Sequence, residues 1–183
     1  MSASITTTPI LFSREWAMPS RHTFEVKPIG AFVDKHLRGV SVDPFCGRAP
    51  RCTHNNDIGF GGIDAAEFLD GLVRDGIKCD TLVLDPPYSP RQISECYKHI
   101  GRKCTGVDTQ SAALYKRVKD AAIPLLNDGA TVLTFGWNTV GMGKNRGCHI
   151  EEILLVCHGG AHNDTICVME RFDKSSIATQ GGV

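Results

Sequence analysis

Asp85-Pro86-Pro87-Tyr88 is the stretch of this chain best equipped for chemistry. It follows Thr81-Leu82-Val83-Leu84, a run with the length and apolar content of a buried parallel strand. Open α/β sheets bind ligands at the carboxyl ends of such strands. A carboxylate, a rigid carbonyl and an aromatic ring placed there suit a planar group bearing an exocyclic amine. Asp85 accepts one amine N–H, the Pro86 carbonyl accepts the other, and Tyr88 stacks on the ring face. Both prolines lack an N–H and have a fixed φ, so the carbonyl loses little freedom on binding. The plainer alternative is a strand entering a Pro-rich turn, with Asp85 capping the next helix.

Further acids recur at strand ends. Asp43-Pro44-Phe45-Cys46-Gly47 closes Gly39–Val42, a first strand, with an acid and a glycine that lets backbone approach a ligand. Neither G-x-G-x-x-G nor Gly-Lys-Ser/Thr is present, so a ligand here is not gripped through phosphates. Asp57, after a short strand near Cys52–His54, suits the two hydroxyls of a ribose; a turn role is its alternative. Asp64 could accept an adenine amino group while the Ala65 N–H meets a ring nitrogen, or it could simply cap a helix. As an ordered set, these acids and Asp85 describe a nucleoside sulfonium site beside an amine-gripping site.

The elements that must hold these residues alternate. Helices are expected over Gly30–Leu37, Asp64–Asp75, Ser89–Ile100 and Thr109–Asn127, the last kinked by Pro124. Asp64 and Glu67 have the form of a capping box. Strands follow over Asp80–Leu84 and Ala130–Phe135, then Glu151–Cys157 and Thr165–Glu170 as a terminal hairpin. Residues 1–13 read as a loose arm. The pattern predicts one α/β domain over residues 1–183, with a mostly parallel, Rossmann-like sheet and one antiparallel hairpin strand.

Composition limits the function. Twenty basic and twenty acidic side chains cancel, so a nucleic-acid partner would have to meet a local basic face. No apolar run is long enough for a membrane span and no signal pattern opens the chain, which predicts a cytoplasmic protein. Eight cysteines then read as reduced thiols. Cys46-x5-Cys52-x-His54 and Cys157-His158-x3-His162 lack paired knuckles, and no metal is expected.

With these motifs in place, the chain resembles S-adenosylmethionine-dependent amino-methyltransferases of the DNA adenine-N6 type. Asp43–Gly47 matches the cofactor loop and Asp85–Tyr88 the catalytic motif. Thr23-Phe24-Glu25-Val26-Lys27-Pro28-Ile29 resembles the segment beside the cofactor's methionine part, which implicates Phe24, Lys27 and Pro28. Nearly the whole length is similar to small phage and prophage methylase-like proteins, for which the host cytoplasm is implied. The resemblance implies a seven-stranded class I methyltransferase sheet, S-adenosylmethionine as cofactor and DNA as partner, with Asp43, Phe45, Gly47, Asp57, Asp64, Ala65 and Asp85 at the cofactor.

Two departures stand out. Arg48 or Ala49 occupies a place where the family loop often has a second glycine. No separate target-recognition region follows the hairpin, so low sequence selectivity, a partner or a second subunit (a homodimer) is expected. The loop Asn138–Cys148 is expected to join two strands at the catalytic end of the sheet and to offer Lys144 and Arg146 to phosphates; an ordinary solvated loop is its alternative. The rivals in function are an RNA base methyltransferase and a catalytically silent module that binds cofactor or a partner.

Overall fold

The computed structural model describes residues 9–48, 50–87, 111–160 and 162–178. Its centre is the strand the sequence marks most strongly. Leu82 and Leu84 point to one face of the sheet and Val83 to the other, all essentially without solvent exposure. A strand buried on both faces must lie mid-sheet between helical layers. This strand, β4 (Cys79–Leu84), pairs in parallel with β2 (Ser41–Asp43) on one side and β5 (Leu126–Gly136) on the other. Beyond β2 lies the short β3 (His54–Asn55).

Beyond β5 comes β7 (Thr165–Phe172), antiparallel to both β5 and β6 (Cys148–Cys157). β1 (Leu11–Trp16) completes the far edge, parallel to β6. The order of the seven strands is β1-β6-β7-β5-β4-β2-β3. The fold is thus the expected mostly parallel α/β sheet with an antiparallel hairpin strand.

Helix α1 (Lys27–His36) covers one face. Pro28 sits in its first turn, where no N–H is needed, and Ile29, Phe32, Val33 and His36 form the buried stripe. Glu152 on β6 fastens its end, accepting from Lys35 Nζ at 2.7 Å and from His36 Nε2 at 3.0 Å. Burial lowers the His36 pKa, so the ring is neutral and donates through Nε2. Helices α2 (Ala65–Arg74) and α3 (Ser111–Ala122) cover the opposite face through Leu69, Leu72, Val118 and Ala122. A last short helix, α4, spans Ser175–Ala178. No described helix is long and apolar enough to cross a membrane.

Four expectations need correction. Residues 11–13 are not a loose arm but enter β1, whose mixed Ser, Arg and Glu content hid an edge strand. The helix expected to reach Asn127 ends at Ala122, and Pro124 sits in the 3-10 turn Ile123–Leu125. Proline cannot continue the ladder and clashes with the carbonyl four residues back. The hairpin strands begin earlier or run longer than expected, at Cys148 and to Phe172.

The segment 137–147 does not stay at the catalytic end of the sheet. Because β5 and β6 are both antiparallel to β7, it must cross the α3-covered face and enter β6 from the opposite end. Buried Glu170 of β7 secures this crossing by accepting the Met142 N–H at 2.6 Å and the Gly143 N–H at 3.0 Å. Gly141 has a φ of 53°, and a Cβ there would meet the Glu170 carboxylate. The expected helix over Ser89–Ile100 lies outside the described residues.

Leu82→Ala removes a fully buried side chain from the central strand, and a loss of about 2–5 kcal/mol is expected. Urea unfolding would read this as a lower midpoint at unchanged slope; a loss under about 1 kcal/mol would show that β4 is not tightly enclosed.

Candidate active site

Three acids converge where β2, β3 and β4 end. Asp43, the last residue of β2, is 1% exposed, and its carboxylate accepts the Phe45 N–H at 2.8 Å. Its carbonyl accepts the Asn56 N–H at 2.9 Å, and the Asn56 carbonyl accepts the Cys46 N–H at 3.0 Å, which ties the Asp43–Gly47 loop to the end of β3. Asp57 faces that loop directly. One of its oxygens accepts the Gly47 N–H at 3.0 Å and the other the Gly59 N–H at 2.8 Å. Gly47 has a φ of 58° with nothing within 4 Å of where a Cβ would lie, so the loop presents bare backbone to open space.

Asp85 follows β4, and the Thr23 hydroxyl hydrogen-bonds its side chain. Burial lifts the Asp85 carboxyl to about 7; the Thr23 bond opposes that rise and the charge of Asp57 adds to it. Asp43 is pushed higher, to about 8, chiefly by burial. The Phe45 N–H pulls it down while Asp85 and Asp57 push it up. The three carboxyls therefore repel one another inside a poorly solvated corner. A cation delivered there would be stabilised by all of them.

The other expected cofactor residues divide. Asp64 is a helix cap: one oxygen accepts from the Ala66 and Glu67 N–H groups, and the other pairs with Arg117 of α3 at 2.6 Å. Ala65 is buried behind it. Phe24 belongs to the core, edge-on to Phe135 at 5.1 Å, and holds the Thr23–Glu25 turn from below. Lys27 is exposed and Pro28 half-buried at the start of α1. Phe45 is half-buried and packs against the α2–α3 core. Tyr88 lies outside the described residues.

Several participants carried no recognisable signal. Thr23 was passed over for its neighbours. Phe60 and Ile63 flank the Asp57 turn with about half of their surface exposed, an apolar lip beside the acids. Asn56 holds that lip through paired bonds with Ile63, at 2.9 and 3.0 Å.

On the opposite side of the Asp-Pro-Pro step lies a cavity of about 410 Å³. Pro87, Tyr115 and Lys116, Lys119, Trp137 and Arg146 are among its walls. Lys119 stands 4.7 Å from the centre of the Tyr115 ring and donates to the Gly141 carbonyl, joining α3 to the crossing segment. The Tyr115 hydroxyl is pushed up in pKa chiefly by burial and also by the charge of Asp85. Of the two loop cations expected at phosphates, Arg146 reaches this cavity, held by Asp120 at 2.7 Å. Lys144 is not among the walls; it sits in the turn that leads into β6.

The sequence matches no protein-family model and no curated protein. Among solved structures, TrmN from Thermus thermophilus aligns with 79% of this chain and 48% of its own, at 16% identity and a TM-score of 0.48. SMU.776, a putative methyltransferase complexed with SAH, aligns over 87% and 44% at 9% identity and a TM-score of 0.47. NSun6 from Pyrococcus horikoshii with SFG aligns over 90% and 48% at 14% identity and a TM-score of 0.44. The chain thus spans about half the length of each of these proteins.

The acid corner has a consequence for stability. A carboxyl whose folded pKa is raised favours folding while protonated. That contribution is complete below about pH 3.9, the ordinary aspartate value, and is lost as pH rises through the folded values. For Asp43 the window runs from there to about 8. Asp43→Asn keeps an acceptor for the Phe45 N–H but carries no charge. Without added ligand its stability relative to the wild type is expected to rise steadily from about pH 4 to about pH 8 and to level off above, read from urea midpoints. A gap independent of pH would mean that Asp43 is not held in its protonated form.

Proposed function

We propose that this protein is an S-adenosylmethionine-dependent methyltransferase acting on the exocyclic amine of a nucleic-acid base, with N6 of adenine in DNA as the target and low sequence selectivity. One observation carries this reading. The Asp-Pro-Pro step stands between a corner of three mutually repelling carboxyls and a cavity with cationic and aromatic walls. The first suits a compact cation and the second suits an anion bearing a flat ring.

The residues present fit the cofactor. Gly47 offers open backbone, Asp57 retains acceptor capacity for ribose hydroxyls beyond its two backbone bonds, and Phe60 and Ile63 form an apolar lip for an adenine ring. Asp64 contributes by capping α2 and so fixing the start of that helix beside the lip. Bound S-adenosylmethionine supplies an electrophilic methyl group on a sulfonium. Thr23 holds the Asp85 carboxyl in place from the α1 side, where the segment of Phe24, Lys27 and Pro28 borders the site.

Asp85 and the Pro86 carbonyl act on the amine. An aromatic amine is a weak nucleophile because its lone pair is delocalised into the ring. Two acceptors drawing on its N–H groups shift it toward a tetrahedral nitrogen and stabilise the positive charge that grows there. The rigid Pro-Pro backbone would hold both acceptors at the amine's N–H groups and leave its lone pair free to face the methyl. Asp85 accepts most strongly, and best stabilises growing positive charge, when ionised, so acidification below about 7 opposes the reaction.

The test is methyl transfer from labelled S-adenosylmethionine to DNA and to RNA, followed by nucleoside analysis. Methyl label in N6-methyladenine from DNA is expected. Label confined to N4-methylcytosine, or to RNA, would overturn the assignment of target. Asp57→Ala is expected to weaken cofactor binding by about 1–3 kcal/mol in calorimetry. Asp85→Ala is expected to lose transfer while cofactor affinity stays nearly unchanged; wild-type turnover in that variant would sink the proposed role.

A further inference from the structure

The cavity beside Pro87 is larger and more charged than a base alone requires. Its walls include three cations, Lys116, Lys119 and Arg146, and no acid among the described residues, in a chain whose charges cancel overall. Two of the three are committed within the fold: Lys119 to the Gly141 carbonyl, and Arg146 to Asp120 and the Met142 carbonyl. Lys116 is exposed on α3 at the rim. Trp137 lies across from it, directly after β5, with 47% of its surface exposed. The exposed part of its indole offers a stacking surface for a planar ring.

A neutral base gives a cationic wall nothing to pair with. A base carried on its phosphate does. The walls also extend along α3 from Tyr115 and Lys116 to Lys119, about one helical turn or some 5 Å, and across to the crossing segment. With a volume of about 410 Å³, the cavity has room for sugar and phosphate as well as a ring. An unpaired strand can enter such a recess directly, whereas a duplex must first open and extrude the nucleotide at a cost in free energy.

We propose that this cavity binds the nucleotide next to the target in single-stranded DNA, its base stacked on Trp137 and its phosphate facing Lys116, with Arg146 adding positive potential. The proposal rests on the methyltransferase reading for the identity of the site but specifies what that reading leaves open, the strandedness of the substrate. It also explains how capture proceeds without wide protein–duplex contact: an unpaired strand brings no cost of unpairing, and base–aromatic stacking does not depend on sequence.

Polarisation with fluorescein-labelled oligodeoxynucleotides, measured on the full chain without cofactor, tests it. A 12-nucleotide single strand is expected to bind at least 10-fold more tightly than the same sequence as a duplex. Trp137→Ala is expected to lower single-strand affinity about 5- to 150-fold, the range of one base–aromatic stack. Trp137→Phe should stay within a few-fold of the wild type, and circular dichroism should show both variants folded. Lys116→Ala is expected to reduce the slope of log K against log salt by about 0.7, one phosphate contact on a single strand.

Duplex binding as tight as single-strand binding, or an unaltered affinity in Trp137→Ala, would overturn the proposal. Because no cofactor or turnover enters the measurement, strand preference with no methyl transfer would count against the enzymatic reading alone.

Discussion

Carboxylate repulsion at the ends of β2, β3 and β4 is the constraint around which this molecule is arranged. Burial of Asp43 and Asp85, with Asp57 within electrostatic reach of both, raises the free energy of their ionised forms. Ordinary packing would remove such a corner. It persists because each carboxyl is also a structural acceptor: Asp43 for the Phe45 N–H, Asp57 for the Gly47 and Gly59 N–H groups, Asp85 for the Thr23 hydroxyl. These bonds build the loops in the same geometry that concentrates negative potential. The corner is therefore strained electrostatically but fixed conformationally, the condition for a preorganised cation site.

A second set of polar groups fixes the opposite wall. Glu170 is buried on β7, which raises its pKa, and it accepts two backbone N–H groups of the crossing segment. Lys119 is also buried and is held by the Gly141 carbonyl in the same segment. Without these contacts an eleven-residue connection whose one regular element is the 3-10 turn Lys144–Arg146 would have little to hold it against the sheet. Met142, 1% exposed, adds an apolar anchor between them. The position of Trp137 and Arg146 thus depends on residues far from them in sequence, which makes the cavity a product of tertiary structure.

That difference explains what the sequence disclosed. Asp85 was legible because strand, acid and prolines are contiguous, so local reading captures their geometry; the same holds for Asp64 and Glu67 at the start of α2 and for the terminal hairpin. Asp43 and Asp57 were legible as strand ends, though not their mutual approach. Tyr115, Trp137 and Thr23 were missed because each reaches the site through a fold-level juxtaposition and is unremarkable among its sequence neighbours. β1 was missed because an edge strand with Ser13, Arg14 and Glu15 shows no apolar alternation. The crossing segment was misplaced for a topological reason: only the antiparallel setting of β7 between β5 and β6 reveals that β6 must start from the opposite end of the sheet.

Charge balance takes a different meaning in this light. A neutral chain argues against a nucleic-acid partner only if its charges are evenly mixed, because phosphate responds to local potential within about a Debye length, roughly 8–10 Å. Here the two signs are segregated across one rigid step. The β2–β3–β4 side gathers carboxyls, the β5–α3 side gathers Lys116, Lys119 and Arg146, and Asp85-Pro86-Pro87 separates them. Each side would attract the ligand that the other repels. In the reading proposed above, a cationic methyl donor would be disfavoured in the basic cavity and a phosphate in the acid corner, so that the two would be sorted by sign before any specific contact forms. Net charge near zero therefore says nothing against either ligand.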